Sequence, residues 1–351
     1  MRCPSLTELP PPPSGKVGWP WTEETPPLPD TMPDGRPWPK FSIVTPNYNF
    51  EKFLEITIRS VLLQGYPNLE YIVIDGGSTD GSVAIIRKYE KWLAHWISER
   101  DSGAADASNK GFRKATGELL AWLGSDDVYT PGALGVAASE LRARPDCSVI
   151  NGDFCPLDAD RRVLKFVPTG QITLGRMLRY WVPCFMPPTP AIFFRRKLID
   201  EFGGFTEGLV RTNDYDFWLR IIQKYSFHYV PHLFTETCVH PASMGGQGYS
   251  AYEAEASVVG RFYRGSPWHK HFWQLWMEES YHLTKRLGSS CFSAAWDAEV
   301  AGRNLRCWGW LLLAVVISPR YAFRAGALGV ALRSLIGETR TKKLKQWLGR
   351  T

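Results

Sequence analysis

Two adjacent carboxylates, Asp126 and Asp127, follow an apolar run in this chain of 351 residues. The run, Leu119–Leu123, predicts a buried strand, and a Gly-Ser pair leads from its end to the two acids. In an open α/β sheet the ligand binds at the carboxyl ends of the strands. Because neighbouring carboxylates repel each other, their proximity favours a bound divalent cation. On this stretch alone a second interpretation stays open, in which one acid caps the helix predicted after Pro131.

Three further polar stretches also follow predicted strands. They are Thr45-Pro46-Asn47-Tyr48-Asn49, Asp75-Gly76-Gly77-Ser78-Thr79-Asp80 and Asp101-Ser102-Gly103. Strand and helix patterns alternate from Lys40 to about Asp153, which predicts a parallel, right-handed βαβ sheet. Since the strand ends of such a sheet lie along one crevice, we expect the four loops to converge there. The chain has no Gly-x-Gly-x-x-Gly, P-loop or Gly-x-Ser-x-Gly motif, so dinucleotide oxidoreductases, P-loop enzymes and hydrolases lose their main support.

The loops occur in the order and at the spacing of one known family. The stretches that carry the likeness are Thr45–Asn49, Val73–Gly81, Ser98–Gly111, Ala115–Glu118 and Ser125–Asp127. From about Lys40 to Ser243 the chain resembles the family-2 glycosyltransferases. The resemblance implies the GT-A fold, in which a nucleotide-binding, mostly parallel α/β sheet flanked by helices joins a mixed acceptor half. It also implies a nucleotide-diphosphate sugar donor, which we interpret as UDP-linked, and Mg²⁺ or Mn²⁺ as cofactor.

The same resemblance assigns the donor side of the site. Thr45, Pro46 and Tyr48 match the strand end that holds the nucleobase. Asp75 matches the acid that hydrogen-bonds the base or the ribose, although an Asp before Gly-Gly is also typical of a plain turn. Asp126 matches the acid that reaches the ribose.

The metal side of the site follows in the same way. Asp127 matches the acid that holds Mg²⁺ or Mn²⁺ on the diphosphate, a role that suits hard oxygen ligands. His240 matches a position from which an imidazole contacts the metal or the diphosphate, with anchoring of its own loop as the alternative. Asp106 and Lys110 match the loop that lines the cleft, and Lys110 equally suits a solvated helix face.

The general base is expected in the second half of the domain. The resemblance places Asp214 where inverting members have the acid that deprotonates the acceptor hydroxyl, and Asn213 stands where a Glu is common. Asp216 lies two residues on, turned by about 200° around a helix, so it should not share the face of Asp214. A helix cap is the alternative role for Asp214.

The first 39 residues are expected to form an arm. Their many prolines exclude a regular sheet or helix and favour an extended chain. The arm also carries Trp19, Trp21 and Trp38, and disordered chains are usually poor in aromatic residues. We therefore expect the arm to lie across the folded body and to bury these rings. A proline motif that binds a partner domain is the alternative.

Residues 40–248 are expected to form the glycosyltransferase domain, with a nucleotide half at about 40–153 and an acceptor half at about 154–248. In the acceptor half the patterns predict strands at Val163–Val167, Ala191–Phe194 and Phe234–Val239, and helices at Ile172–Trp181 and Asp214–Tyr225. Residues 249–351 are expected to form a helical, basic C-terminal extension. Its basic end, which contains tryptophans, suits a helix at an anionic membrane surface, and a helical pair packed on the body is the alternative.

Composition narrows the cellular setting. The seven cysteines are scattered and lack a CxxC pair, which favours reduced thiols in the cytoplasm over a zinc site or disulfides. No charged start followed by an apolar run marks a secretory signal. A net charge of +6 demands no polyanion as partner, so we expect no nucleic acid.

We therefore predict a cytoplasmic, metal-assisted, inverting glycosyltransferase with a glycan or lipid-linked acceptor and peripheral membrane contact through its basic end. Two other classes stay open. A nucleotidyltransferase of sugar phosphates also uses acidic loops and a metal, but it would usually show a Gly-rich phosphate loop near its first strand. A catalytically silent GT-A-like scaffold would be expected to lose Asp127 or Asp214, and the chain retains both.

Overall fold

Strands and helices alternate through the first half of the chain. The computed structural model describes residues 1–178, 186–209, 212–240 and 243. Its strands are β1 Phe41–Asn47, β2 Leu69–Asp75, β3 His95–Ser98, β4 Leu119–Trp122, β5 Val128–Tyr129, β6 Val149–Leu157, β7 Ile192–Arg195 and β8 Phe227–Cys238. Its helices are α1 Glu51–Leu62, α2 Ser82–Tyr89, α3 Ala104–Lys114, α4 Ala133–Ala143, α5 Leu174–Met177, α6 Lys197–Phe202 and α7 Asn213–Ile222. None of the helices in these ranges combines the length and the apolar character needed to span a bilayer.

The eight strands form one mixed sheet in the order β3-β2-β1-β4-β7-β6-β8-β5. The four strands β3, β2, β1 and β4 are mutually parallel. Strand β7 runs antiparallel to both β4 and β6, whereas β6 and β8 are parallel and β5 pairs antiparallel with β8. The predicted α/β class, with a mostly parallel nucleotide half and a mixed second half, is confirmed. The antiparallel junction between β4 and β7 marks where the two halves meet.

The central strands are buried on both faces. All seven residues of β1 and all seven of β2 are buried, as expected for a parallel sheet covered by helices on each side. Phe41 of β1 packs edge-on against Tyr66 and Phe193, with ring centroids 5.8 Å apart in each pair. This apolar centre holds the strands rigidly, so the loops at their carboxyl ends start from fixed positions.

Two predicted elements of the acceptor half are shorter or less regular in the structure. The segment predicted as a strand at Val163–Val167 makes only isolated bridges to β6, at Val163 and Val167. Leu164 N–H donates to Pro156 O at 2.9 Å, but Pro156 has no N–H to return, so a continuous ladder cannot form. The helix predicted at Ile172–Trp181 is limited to α5 within the described residues, and residues 179–185 lie outside them.

The N-terminal arm lies against the body around one buried cation. Trp21 and Trp38 are buried, at 8% and 5% exposure, as the arm hypothesis expected, whereas Trp19 is only partly buried. Arg59 of α1 is fully buried beneath the arm. Its guanidinium donates to three backbone carbonyls of the arm at 2.8 to 3.0 Å, those of Pro10, Pro20 and Trp21. The arm therefore supplies three of the acceptors of this guanidinium, and Tyr89 Oη of α2 supplies a fourth at 3.2 Å.

Two indoles of the arm donate hydrogen bonds to backbone carbonyls. Trp19 Nε1 donates at 2.8 Å to the carbonyl of Tyr129 in β5, two residues after the acid pair. Trp38 Nε1 donates at 2.9 Å to the carbonyl of Pro29 within the arm itself. The bond from Trp19 thus connects the arm to β5, the strand that follows the acidic turn. The bond from Trp38 stabilises the conformation of the arm itself. The predicted C-terminal extension and its membrane contact lie outside the described residues.

Candidate active site

The acid pair sits in a tight turn directly after β4. Asp127 N–H donates to Gly124 O at 3.1 Å, which closes the turn. A Cβ placed on Gly124 would lie 2.9 Å from Asp126 Oδ1 and 2.9 Å from Asp127 Oδ2. Both carboxylates therefore approach the same point, where only glycine leaves room for them. The sequence pattern placed the two acids at a strand end, and the glycine explains how they converge there.

The surroundings of the pair disfavour two negative charges. Burial raises the pKa of Asp127 well above its ordinary value, and the charge of Asp126 raises it further. A hydrogen bond from Cys238 N–H to Asp127 Oδ1, 3.1 Å long, acts in the opposite direction. Burial also raises the pKa of Asp126, against a lowering by His240. A divalent cation between the carboxylates would remove this electrostatic penalty.

His240 lies beside Asp126. Its Nε2 is 3.2 Å from Asp126 Oδ2, and the side chain is largely buried. The ring stacks on Phe53, with centroids 4.6 Å apart and planes 17° from parallel, and meets the edge of Phe50 at 5.4 Å. Two aromatic rings from the start of α1 therefore fix the imidazole against the first acid of the pair.

A cavity of about 500 Å³ opens at the carboxyl ends of β1, β2, β3 and β4. The loops after all four strands contribute to its wall, so the predicted convergence is confirmed. Its lining includes, from the ends of these strands, the loops after them and α3, Pro46, Asn47, Tyr48, Gly76, Arg100, Asp101, Ala107, Trp122, Ser125 and Asp126. The volume lies in the range of small-molecule sites.

Of the residues predicted to hold the base, two line this cavity and two lie behind it. Pro46 and Tyr48 are in the wall, and Tyr48 is 56% exposed at the rim. Thr45 is fully buried, and its Oγ1 accepts a hydrogen bond from Tyr71 Oη at 3.2 Å. Asp75 is also fully buried and is absent from the lining.

Asp75 organises the loop after β2. Its Oδ1 accepts from Asn47 Nδ2 at 2.7 Å and from Ser78 Oγ at 2.6 Å. Its Oδ2 accepts from Ser98 Oγ at 2.6 Å and from the backbone N–H groups of Ser78 and Gly77 at 2.9 and 3.2 Å. Five donors thus surround one carboxylate, whose two oxygens offer about four acceptor positions.

Asp106 and Lys110 lie on α3, outside the lining of the cavity. Asp106 Oδ2 accepts from Ser102 N–H at 3.1 Å, and this bond lowers the pKa of Asp106. Lys110 Nζ lies 2.9 Å from Glu99 Oε1 and 3.5 Å from Asp106 Oδ2. The lysine is thus engaged in an ion-pair network, and its side chain is only 22% exposed.

Two residues of the cavity wall were not singled out from the sequence. Trp122 ends β4, and its Nε1 donates to Ser108 Oγ on α3 at 2.8 Å, which holds the indole in place. Arg100 is exposed at the wall and makes no ion pair with any other residue that the structure describes. The sequence did contain a signal for each of them. Trp122 is a large aromatic residue just before the acidic turn, and Arg100 is a cation in a loop of the predicted crevice.

Asp214 stands at the start of α7. Its Oδ2 accepts from Thr189 Oγ1 at 2.8 Å, and its Oδ1 accepts from Tyr215 N–H at 2.8 Å. Burial raises the pKa of Asp214, and the bond from Thr189 opposes that rise. Asp216 instead accepts from Thr206 Oγ1 at 2.6 Å and pairs with Arg220 at 3.0 Å. The two acids have separate partners, as the helical spacing predicted, and Asp214 is not among the cavity residues.

A pair of hydrogen bonds joins α3 to the turn before α7. Asn109 Nδ2 donates to Phe205 O at 2.9 Å, and Phe205 N–H donates to Asn109 Oδ1 at 2.8 Å. A Cβ on Gly204 would collide with this amide, so the turn needs glycine at that position. The amide connects the nucleotide half to the segment that leads to Asp214.

The acid turn has the ligand chemistry of a hard divalent cation. The two carboxylates provide oxygen ligands, and the imidazole of His240 lies within reach of the first. The ranges that the structure describes contain no ready-made group of three or more His, Cys, Asp or Glu ligands. Magnesium-type sites commonly combine one or two carboxylates with phosphate oxygens of the substrate, and the residues of this turn fit such a site.

Comparison with known proteins identifies the family. The model of "Glycosyl transferase family 2" matches residues 42–202. An uncharacterized glycosyltransferase of Mycobacterium tuberculosis is 33% identical over 184 residues, which are 52% of this chain and 68% of that relative. An uncharacterized glycosyltransferase of Rickettsia felis is 25% identical over 227 residues, or 63% of this chain, but the match spans only 37% of that relative's length.

Solved structures share the fold at low sequence identity. The crystal structure of S. aureus TarS 1-349 in complex with UDP-GlcNAc superposes with a TM-score of 0.51 at 17% identity, over 85% of this chain and 92% of that one. Mannosyltransferase PcManGT from Pyrobaculum calidifontis, in complex with GDP-Man and Mn²⁺, gives 0.53 at 18% identity, over 89% and 79%. With the sheet order and the acidic turn described above, these matches show that the chain belongs to glycosyl transferase family 2 and has a GT-A-type fold.

Proposed function

We propose that this chain is an inverting, metal-assisted glycosyltransferase. It moves a sugar from a nucleotide-diphosphate sugar, UDP-linked in our proposal, to a hydroxyl of a glycan or lipid-linked acceptor. The observation that carries the proposal is the cavity at the ends of four parallel strands, with Asp126 in its wall; Asp127, the next residue of the same turn, is not part of the lining. The ligands named for the structural neighbours, UDP-GlcNAc in one and GDP-Man with Mn²⁺ in the other, support a nucleotide-sugar donor and a divalent cation.

In this proposal the acid pair holds the donor's diphosphate through a cation. Asp126 and Asp127 are the proposed protein ligands, and His240, whose Nε2 lies 3.2 Å from Asp126 Oδ2, orients Asp126. When bound, Mg²⁺ or Mn²⁺ neutralises the charge that develops on the leaving diphosphate. Pro46 and Tyr48 border the base, and Trp122 forms a flat wall next to the acid turn.

Asp214 is the proposed general base. As the acceptor oxygen bonds to the anomeric carbon, its proton passes to a carboxylate oxygen of Asp214, and the bond from that carbon to the diphosphate oxygen breaks on the opposite face. The configuration therefore inverts. The raised pKa of Asp214 makes its carboxylate a better proton acceptor than an exposed one. From the sequence alone, we also propose that the protein acts in the cytoplasm and that its basic C-terminal segment contacts the membrane.

The test is a panel of UDP- and GDP-linked sugars, with Mn²⁺ or Mg²⁺, in which release of the nucleoside diphosphate is followed. We expect one UDP-sugar to be turned over, chelator to abolish the reaction, and Asp127→Ala to slow it by at least about 100-fold. Asp160→Ala is the matched control, because this carboxylate is 73% exposed and remote in chain position from the turn. Turnover that survives both chelation and Asp127→Ala contradicts the proposed role of the metal.

A further inference from the structure

Asn47, the last residue of β1, carries a buried oxygen without a partner. The residue is only 3% exposed and lines the cavity. Its Nδ2 donates to Asp75 Oδ1 at 2.7 Å and to Ser78 Oγ at 3.3 Å. Its Oδ1 makes no hydrogen bond. Buried acceptors are nearly always paired in folded proteins, so an unpaired one in a cavity wall points to a ligand that brings the donor.

The orientation of this amide follows from its neighbours. A carboxylate only accepts hydrogen bonds, so the NH₂ group of Asn47 must face Asp75. Ser78 Oγ already gives its one proton to Asp75, and it too can only accept from Asn47. Both contacts therefore demand the amide nitrogen on that side, and the oxygen is held on the other.

Asp75 itself is not available to hydrogen-bond a ligand. It is fully buried, lies outside the lining, and already accepts five hydrogen bonds from protein groups. A further donor from a ligand would find no free lone pair. What Asp75 does is fix the amide of Asn47.

We infer that Asn47 Oδ1 accepts a hydrogen bond from the ring N3–H of uracil, and that Asp75 is the positioning residue that aims it. The inference rests on the proposed UDP-linked donor. Uracil carries a donor at N3, whereas cytosine carries a lone pair there, so a fixed acceptor at this point selects uridine over cytidine nucleotides. A site built around one hydrogen bond discriminates strongly against the analogue that leaves its buried group unpaired.

The experiment is a binding cycle between the residue and the ligand atom. Calorimetric titration of the wild type with UDP, N3-methyl-UDP and CDP should give at least about 10-fold weaker binding for the two analogues. The Asn47→Ala substitution removes the acceptor and leaves room for the methyl group. This variant should bind UDP about as weakly as the wild type binds N3-methyl-UDP. Methylation should then change the affinity by less than about 2-fold.

Asn151→Ala is the matched control. Asn151 of β6 is an equally buried amide whose Oδ1 also lacks a partner, but it does not line the cavity. Its loss should leave the preference for UDP over N3-methyl-UDP unchanged. For the positioning role, Asp75→Asn removes the constraint on the amide, so the preference for UDP over CDP should narrow because a rotated Asn47 can donate to cytosine N3.

The outcomes separate the two hypotheses. If the wild type binds UDP and N3-methyl-UDP equally, or if the methyl penalty persists in Asn47→Ala, the inference is wrong although the proposed function stands. If the wild type binds neither UDP nor any UDP-sugar, the proposed donor is wrong. The wild-type comparison needs no variant, so it decides the matter even where a substitution prevents folding.

Discussion

Asp214 holds its carboxylate between a hydroxyl and a backbone amide. A base of this kind acts only when ionised, so turnover should fall as the pH drops through its pKa. Because burial raises that pKa above the ordinary carboxyl range, the acid limb should lie at a higher pH than an exposed aspartate would give. The bond from Thr189 stabilises the ionised form and keeps the limb lower than burial alone would.

Thr189→Val therefore provides a signed test of the base. Loss of the hydroxyl removes a contribution that lowers the pKa, so the acid limb of kcat should move to higher pH. The control is Thr206→Val, which removes the same type of bond from Asp216 on the other face of α7. An acid limb that stays in place, or moves to lower pH, contradicts the assignment of Asp214.

The acid pair should destabilise the metal-free protein at neutral pH. The folded pKa of Asp126 is raised, so the folded state binds its proton more tightly than the unfolded state does. The stability that the protonated carboxyl contributes at low pH is then lost as the pH rises through the folded pKa. Asp126→Asn should raise the Tm of the metal-free protein at pH 7 by a few degrees.

The same variant should lose the response to metal. Mn²⁺ should raise the Tm of the wild type and leave that of Asp126→Asn nearly unchanged, because binding to the folded state alone stabilises it. Asp160→Asn, at an exposed carboxylate, should behave as the wild type in both measurements. A metal-free Asp126→Asn protein that melts below the wild type would contradict this account.

At the scale of elements, helix α1 supports the acid turn from behind. Thr57 is fully buried, and its Oγ1 lies 3.0 Å from Ser125 O and 2.8 Å from Asp127 O. One hydroxyl thus contacts both carbonyls that flank Asp126. The geometry of the cation site is therefore connected to a helix whose residues Leu54, Ile58, Val61 and Leu62 belong to the apolar core.

Thr57→Val should separate positioning from stability. The substitution keeps the shape and removes the hydroxyl, which should lower the free energy of unfolding by about 1 kcal/mol. The Mn²⁺ concentration for half-maximal activity should rise by about 10-fold, as for other residues that orient metal ligands. Ser139→Ala, which removes a hydroxyl bonded to Gly135 O on α4, should lose similar stability with no change in the metal requirement. Equal metal requirements in the two variants would contradict the positioning role.

The first half of the sheet was predictable because each element leaves a local signal. Strands β1, β2 and β4 are apolar runs of strand length, and α1 shows helical periodicity between turn residues. Strand β8 was predicted only from Phe234, although it begins at Phe227. Its first residues alternate less clearly, and they are held by pairing with β6, a tertiary contact that no local pattern records.

The site was predictable in its loops and less so in its contacts. The order of the motifs brought the acid pair and the base-side loops to one crevice. Which oxygen of Asp75 meets which donor depends on β2 and β3 lying side by side, since Ser98 is twenty-three residues away in the chain. For the same reason the sequence, which placed Lys110 in the cleft loop or on a solvated helix face, did not reveal its ion pair with Glu99.

At the scale of the whole molecule, the arm extends the fold around the acid turn. Trp19, Trp21, Ile56 and Val128 form a small apolar cluster between the arm, α1 and β5. The hydrogen bond from Trp19 Nε1 to Tyr129 O joins one member of this cluster to the residue that follows Val128. The strand that leaves the acid turn is therefore held by residues outside the family-2 segment at 42–202.

Trp19→Phe should raise the Mn²⁺ concentration needed for half-maximal activity, whereas Trp38→Phe should leave it unchanged. Each substitution removes one indole-to-carbonyl hydrogen bond and keeps an aromatic ring, so each should lower the free energy of unfolding by about 1 kcal/mol. Only Trp19→Phe frees the carbonyl of Tyr129, so only this variant should need more Mn²⁺ for half-maximal activity. The two variants are compared by thermal melting and by metal titration of turnover. If both shift the metal titration equally, the arm acts through stability alone.

The contacts of Arg59 indicate what a shortened form of the protein would lose with the arm. Its guanidinium is fully buried and relies on the carbonyls of Pro10, Pro20 and Trp21. A fragment cut to the family-2 segment would keep this arginine in α1, discard its three carbonyl acceptors and leave Tyr89 Oη as its acceptor among the described residues. Such a fragment would also end before Phe205, the partner of Asn109. Because Leu9, Met32 and Trp38 of the arm also belong to the apolar core, we expect the smallest piece that folds to be longer at both ends than the segment that sequence comparison delimits.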